Sequence, residues 1–63
     1  MEKVYIAVMD YCTSSIKMYT TELAKGWIET DVENWLYAHT NYNDSQCYYM
    51  VNRNEIEVVY EEN

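Results

Sequence analysis

The sequence predicts a small α+β domain with the element order ββαββ: a mainly antiparallel four-stranded sheet with one helix packed on one face. Two observations lead to this fold class. Four short segments alternate in side-chain character with the period of a strand, and one segment between the second and third repeats its apolar residues with the period of a helix. The chain has 63 residues, which is enough for one domain, 1–63, with one layer of core between sheet and helix.

The first two alternating segments predict a β-hairpin. Residues 4–9 and 15–22 alternate with period two, and residues 10–15 contain the short polar side chains that suit a turn. We expect Lys17 and Tyr19 to face away from the core. The residues that this alternation assigns to the core are Val4, Ile6, Val8, Ile16 and Met18.

The middle of the chain predicts one helix of about ten residues that ends near residue 40. Thr30 and Glu33 have the spacing of a capping box, in which each side chain binds the backbone N–H of the other residue. Ile28 precedes this box at a position where it can pack on the first turn. The apolar stripe that follows, with spacing i, i+3, i+4, i+7, consists of Val32, Trp35, Leu36 and His39.

The last third of the chain predicts a second hairpin. Residues 46–51 are rich in aromatic and β-branched side chains, residues 52–54 suit a turn, and residues 55–60 alternate cleanly. We expect the first and fourth strands, which are the most apolar, to lie at the centre of the sheet.

The third strand has two sides, and only one of them can face the helix. One choice comprises Cys47, Tyr49 and Val51, and the other comprises Tyr48 and Met50. We favour the first choice because it gives the more continuous apolar alternation. The predicted main core, apart from this strand, is Val4, Ile6, Val8, Ile16, Met18, Val32, Trp35, Leu36, Ile56 and Val58.

The sheet face opposite the helix is the first candidate for function. A ten-residue helix is about 15 Å long and covers one side of a four-stranded sheet only. Tyrosine and methionine are enriched where proteins bind proteins, although tyrosine on an open sheet face is also ordinary strand composition. We expect a non-enzymatic interaction module that self-associates through Tyr5, Met9, Tyr19, Tyr48 and Met50, with a foreign protein as the less favoured partner.

The charge of the chain excludes some partners. Eleven acidic residues against four basic ones give a net charge of −7, and the basic residues are scattered. Direct binding of nucleic acids or anionic membranes is therefore not expected. The second hypothesis is an acidic inhibitor or nucleic-acid mimic from a mobile element that acts on a basic protein. Its carboxylates would be those at positions 29, 31, 33, 55, 57, 61 and 62.

The sequence predicts no enzyme chemistry, cofactor or metal site. His39 is the only histidine, one glycine cannot form a phosphate-binding loop, and the two cysteines lack the paired spacing of zinc ligands. Without an export signal or an apolar run long enough to cross a membrane, we expect a cytoplasmic protein. Its thiols, Cys12 and Cys47, are expected to be reduced and mostly buried.

Overall fold

The computed structural model describes residues 1–62 as a three-stranded antiparallel sheet with one helix on one face. The elements are β1 (Glu2–Asp10), β2 (Ser15–Leu23), α1 (Glu29–His39) and β3 (Cys47–Asn52). The strand order is β2-β1-β3, so β1 is central and pairs antiparallel with both neighbours. The predicted α+β class and the central first strand are confirmed. The predicted four-stranded ββαββ sheet is wrong.

The segment predicted as the fourth strand, residues 55–60, pairs with no strand in the described part of the chain. The Asn54 N–H donates to the side-chain oxygen of Asn52 at 2.9 Å, which turns the chain away from β3. Residues 56–59 then lie over the sheet face opposite α1. Alternation predicts an extended segment with one apolar side; of that side Ile56 is half-buried, whereas Val58 is 50% and Tyr60 92% exposed.

The first hairpin forms as predicted, with β1 and β2 in register from Asp10 opposite Ser15 to Glu2 opposite Leu23. Its loop, residues 11–14, is organised by the Asp10 carboxylate. The Oδ1 atom of Asp10 accepts the N–H groups of Cys12 at 2.9 Å and Thr13 at 3.2 Å. These hydrogen bonds satisfy the two backbone N–H groups, which would otherwise bind only water in so tight a loop.

The two faces of β2 are the reverse of those predicted. Tyr19 lies opposite the buried Ile6, and Met18 lies opposite Ala7, so Lys17 and Tyr19 are on the helix side. Ile16 is 64% exposed and Met18 is 44% exposed, and the prediction that they belong to the core is wrong. The physical reason is that Tyr19 packs its ring against α1 there, a contact that the local alternation does not encode.

The helix begins at a different cap from the one predicted. Its N-cap residue is Ile28, and the Asp31 carboxylate accepts the Ile28 N–H at 2.9 Å. Because isoleucine has no acceptor, only this half of a capping box exists, and the predicted Thr30–Glu33 box is wrong. Ile28 is 62% exposed, so it does not pack on the first turn as predicted. At the other end, the Thr40 N–H donates to the Leu36 carbonyl at 2.9 Å.

The core lies between α1 and the helix side of the sheet. Cys47 is buried and Tyr49 and Val51 are partly buried against this core, which confirms the favoured side of β3. Trp35 is also partly buried there, Ile56 is half-buried, and Val58 is 50% exposed, contrary to its predicted place in the core. The predicted core residues that the structure buries are Val4, Ile6, Val8, Val32 and Leu36.

Candidate functional site

The sheet face opposite α1 carries a compact apolar patch. In register across the three strands, Ala7 lies between Met18 and Met50, and Met9 lies between Ile16 and Tyr48. Residues opposite each other on neighbouring strands point to the same face, so these two rows are adjacent. We define the outer face by these six residues: Ala7, Met9, Ile16, Met18, Tyr48 and Met50.

The outer face is exposed although its side chains are apolar. Met9 and Met18 are just under half exposed, Met50 is 54% exposed, and Ile16 and Tyr48 are each 64% exposed. Residues 56–59 cover only part of it and leave an open groove of about 360 Å³ between themselves and the sheet. Apolar surface of this extent on a small domain usually marks an interface.

Most residues predicted to bind a partner share this side of the sheet. Met9, Tyr48 and Met50 belong to the outer face, and Tyr5 extends it by one row, with the Lys3 ammonium 5.6 Å from its ring centre. Tyr19 lies on the helix side instead.

Two residues of the outer face, Ile16 and Met18, were not among the predicted binding residues because β2 was assigned the wrong faces. One signal for the correct assignment is present in the sequence. Leu23 has the same parity as Tyr19, so extending the strand by one residue places two large apolar side chains on that side. The predicted strand, residues 15–22, ends before Leu23, so this leucine did not count when the two sides of the strand were compared.

On the helix side of the sheet, three tyrosines form a cluster beside α1. The Tyr42 ring packs edge-on against Tyr37, at 5.3 Å between centres, and against Tyr49, at 5.8 Å. Burial, followed by the nearby carboxylates of Glu33 and Glu29, raises the pKa of Tyr49 to about 12. The pKa values of Tyr37 and Tyr42 are raised as well, first by burial. This surface therefore combines aromatic rings with negative charge.

A polar cavity of about 240 Å³ lies at the end of the sheet, beside the loop of residues 11–14. The Asp10 carboxylate, only 7% exposed, binds the Lys17 ammonium there at 3.1 Å. The hydrogen bond from Lys17 lowers the pKa of Asp10, and the same bond raises the pKa of Lys17. With the N–H groups of Cys12 and Thr13 also bound, this carboxylate links the loop to β2.

Both cysteines line this polar cavity, together with side chains from the loops that follow β1 and α1. Cys47 is buried, as predicted, with 3% of its surface exposed, whereas Cys12 is exposed, contrary to the prediction. The reason is that Cys12 lies in the hairpin loop, outside the layer that α1 covers.

The only histidine packs against its own helix. The His39 ring stacks on Trp35, with 4.9 Å between ring centres, and its Nδ1 atom lies 3.0 Å from the Trp35 carbonyl oxygen. Within residues 1–62, no three His, Cys, Asp or Glu side chains are grouped so that they could hold a metal ion. No helix in this part of the chain has the length and hydrophobicity that a membrane crossing requires.

Comparison with known proteins adds no relative from which a function could be transferred. No protein-family model, curated protein or solved structure matches this chain. The function is therefore argued from the surfaces of the fold. Among them, the outer face brings six neighbouring apolar residues together on three paired strands, and it is the candidate site.

Proposed function

We propose that this protein is a small non-enzymatic interaction module that binds a second copy of itself through its outer face. The observation that carries the proposal is the arrangement of six apolar residues in two adjacent rows across three strands. The arrangement presents thioether and aromatic side chains on a rigid sheet, where they contact a partner with little loss of conformational freedom.

The size of the outer face fits a dimer of small proteins. Five of its six side chains are roughly half exposed, which corresponds to an apolar area on the order of 500 Å². Val58 and Val59, which are 50% and 61% exposed on the adjoining segment, enlarge this area. A standard interface buries roughly 800 Å² on each partner. The patch and its border are thus of the size that a stable dimer needs.

The charge distribution also favours a second copy over a charged partner. The six residues of the outer face are uncharged, and on the same side of the sheet Lys3 and Glu22 lie opposite each other at its end. The six residues themselves bring no charge into the contact, but the exposed carboxylate of Glu57 lines the adjoining groove and must stay in solvent when two chains of net charge −7 meet. A small core also gains stability when a second copy covers exposed apolar surface.

The test is the mass in solution as a function of concentration, measured by sedimentation. The wild-type chain is expected to approach twice its monomer mass, and the double variant Met18→Glu/Met50→Glu is expected to stay monomeric because dimerisation would bury two carboxylates. The matched control is Ala24→Glu/Ala38→Glu, which adds the same charge at exposed positions away from the outer face. The proposal fails if the wild type is monomeric at all concentrations or if both variants dimerise equally.

A second candidate function, an acidic inhibitor of a basic protein, is supported by the tyrosine cluster on the opposite side. Carboxylates of Glu29, Glu33 and Asp44 lie near enough to contribute to the raised pKa values of its tyrosines. Such a surface would bind a cationic DNA-binding protein with an affinity that falls steeply with salt. A competition assay with duplex DNA at low and high salt tests it, and an affinity that does not change with salt would contradict it.

A further inference from the structure

The two cysteines reach the same cavity from different parts of the chain. Cys47 begins β3 and lies opposite Asp10 of β1. The Tyr11 N–H donates to the Gln46 carbonyl at 2.9 Å, so the two strands stay together for one further residue. Cys12 follows at once, and its N–H binds the Asp10 carboxylate at 2.9 Å.

This arrangement places the two cysteines at the border of one cavity. Cys47 closes the β1–β3 register opposite Asp10, Cys12 follows two residues later in the turn, and both side chains line the same cavity. Disulfides need a Cα separation of about 4.4–6.8 Å. Any movement needed to reach this separation falls on the exposed loop of residues 11–14, which hydrogen bonds to Asp10 hold and the core does not cover.

The two thiols differ in exposure, and the difference sets an order of reaction. Cys12 is exposed and Cys47 is 3% exposed, so a reagent from solution meets Cys12 first. Both side chains border the same cavity of about 240 Å³, so Cys47 is placed to attack a sulfur carried by Cys12. A solvent-accessible thiol beside a protected one is the arrangement of an attacking and a resolving cysteine.

We infer that Cys12 and Cys47 form a dithiol site that reacts with small-molecule disulfides and closes to an intramolecular disulfide. The Cys12 thiolate attacks one sulfur of the reagent, the S–S bond of the reagent breaks, and one thiolate leaves. The Cys47 thiolate then attacks the Cys12 sulfur and expels the second thiolate. Two electrons pass to the reagent, and the two protons lost by the cysteines go to the departing thiolates or to solvent.

The inference is independent of the proposed dimer because the cavity and the outer face lie on opposite sides of the sheet. The closed form would tie the hairpin loop to β3, cross-linking two parts of the chain that are far apart in sequence. A cross-link of this kind restricts the unfolded chain more than the folded one. The oxidised protein is therefore expected to unfold at a higher temperature than the reduced protein.

The experiment is intact mass measurement after incubation with oxidised glutathione, without reductant. The wild type is expected to lose two hydrogens and retain no glutathione, and Cys47→Ser is expected to keep one glutathione on Cys12. Cys12→Ser is expected to stay unmodified in the time in which Cys47→Ser reacts fully. Dithiothreitol should restore the starting mass in each case.

Two results would overturn the inference. One is a wild-type chain that ends with a stable glutathione adduct, since Cys47 would then have failed to resolve it. The other is a disulfide between two chains as the main product, which would show that the thiols meet only in trans. Circular dichroism of each serine variant before oxidation verifies that the fold is intact. A loss of reactivity can then be assigned to the missing thiol and not to unfolding.

Discussion

Tyr19 lies directly opposite Ile6 across β1 and β2, on the side of the sheet that α1 covers. Its ring packs edge-on against Trp35, with 5.9 Å between ring centres. This contact joins the second strand to the helix, and it assigns every odd-numbered residue of β2 to the core side. The even-numbered residues, among them Ile16 and Met18, are left for the outer face.

The first prediction concerns this assignment of faces. Tyr19→Ala is expected to lower the free energy of unfolding by about 2–4 kcal/mol, because it removes a large ring packed on the core. Ile16→Ala is expected to change it by less than about 1 kcal/mol, since that side chain is 64% exposed. Urea unfolding at concentrations where the chain is monomeric measures both. A larger loss for Ile16→Ala than for Tyr19→Ala would contradict the register.

The second prediction concerns the start of the helix. Asp31→Ala is expected to cost about 1 kcal/mol, because the Asp31 carboxylate accepts the Ile28 N–H and lies at the positive end of the helix dipole. Thr30→Ala is expected to be neutral within about 0.5 kcal/mol, since Thr30 lies inside the first turn and does not cap it. Thermal unfolding of the two variants compares them directly. Equal losses of stability in the two variants would indicate that Thr30 caps the helix after all.

The third prediction is a dependence of stability on pH that comes from Asp10. Its pKa is lowered in the folded protein, so the unfolded chain takes up the proton first as the pH falls. The stabilisation is therefore complete above the ordinary pKa of an aspartate, about 4, and is lost as the pH falls through the lower folded value. Thermal unfolding between about pH 2 and pH 7 follows this loss.

Two variants isolate the contribution of Asp10 from that of the other carboxylates. Asp10→Asn is expected to be less stable than the wild type at neutral pH and to approach it in acid. Lys17→Met removes the charge that the Asp10 carboxylate binds at 3.1 Å, and it should reduce the same acid-dependent stability. A constant difference between Asp10→Asn and the wild type at every pH would contradict the assignment.

The fourth prediction concerns the segment after β3. A chain shortened to residues 1–54 is expected to fold, because residues 55–62 pair with no strand. Its free energy of unfolding should fall by roughly 1 kcal/mol, part of the value of burying a whole isoleucine, since Ile56 is only half-buried. Circular dichroism and urea unfolding test it. Loss of cooperative unfolding would indicate that these residues do form a strand of the sheet.

Much of the fold could be predicted because its strongest patterns are local. The alternation of Val4, Ile6 and Val8 identifies a strand with one buried side, and the stripe through Val32 and Leu36 identifies a helix with one buried face. In β1 the β-branched residues all lie on one side, and in α1 Val32 and Leu36 lie one turn apart on the same face. The buried side of each therefore follows from the sequence without knowledge of its neighbours.

The candidate site could be predicted only in part, because its second strand has two similar sides. In β2, Ile16 and Met18 compete with Tyr19 and Leu23, and each pair is apolar enough to be buried. A one-residue change in register exchanges the two sets. As a result, the sequence placed Met9, Tyr48 and Met50 on the outer face correctly and omitted its two β2 residues.

The sequence by itself determined the α+β class, the central first strand, the helix and the presence of an apolar surplus that one helix cannot cover. The tertiary structure decided which side of β2 is buried and where residues 55–60 lie. Periodicity states that side chains alternate, whereas the choice between sides depends on partners distant in the chain. The contact with Trp35 places Tyr19 on the core side of β2. Ile56 lies beside the apolar sheet face without forming a fourth strand.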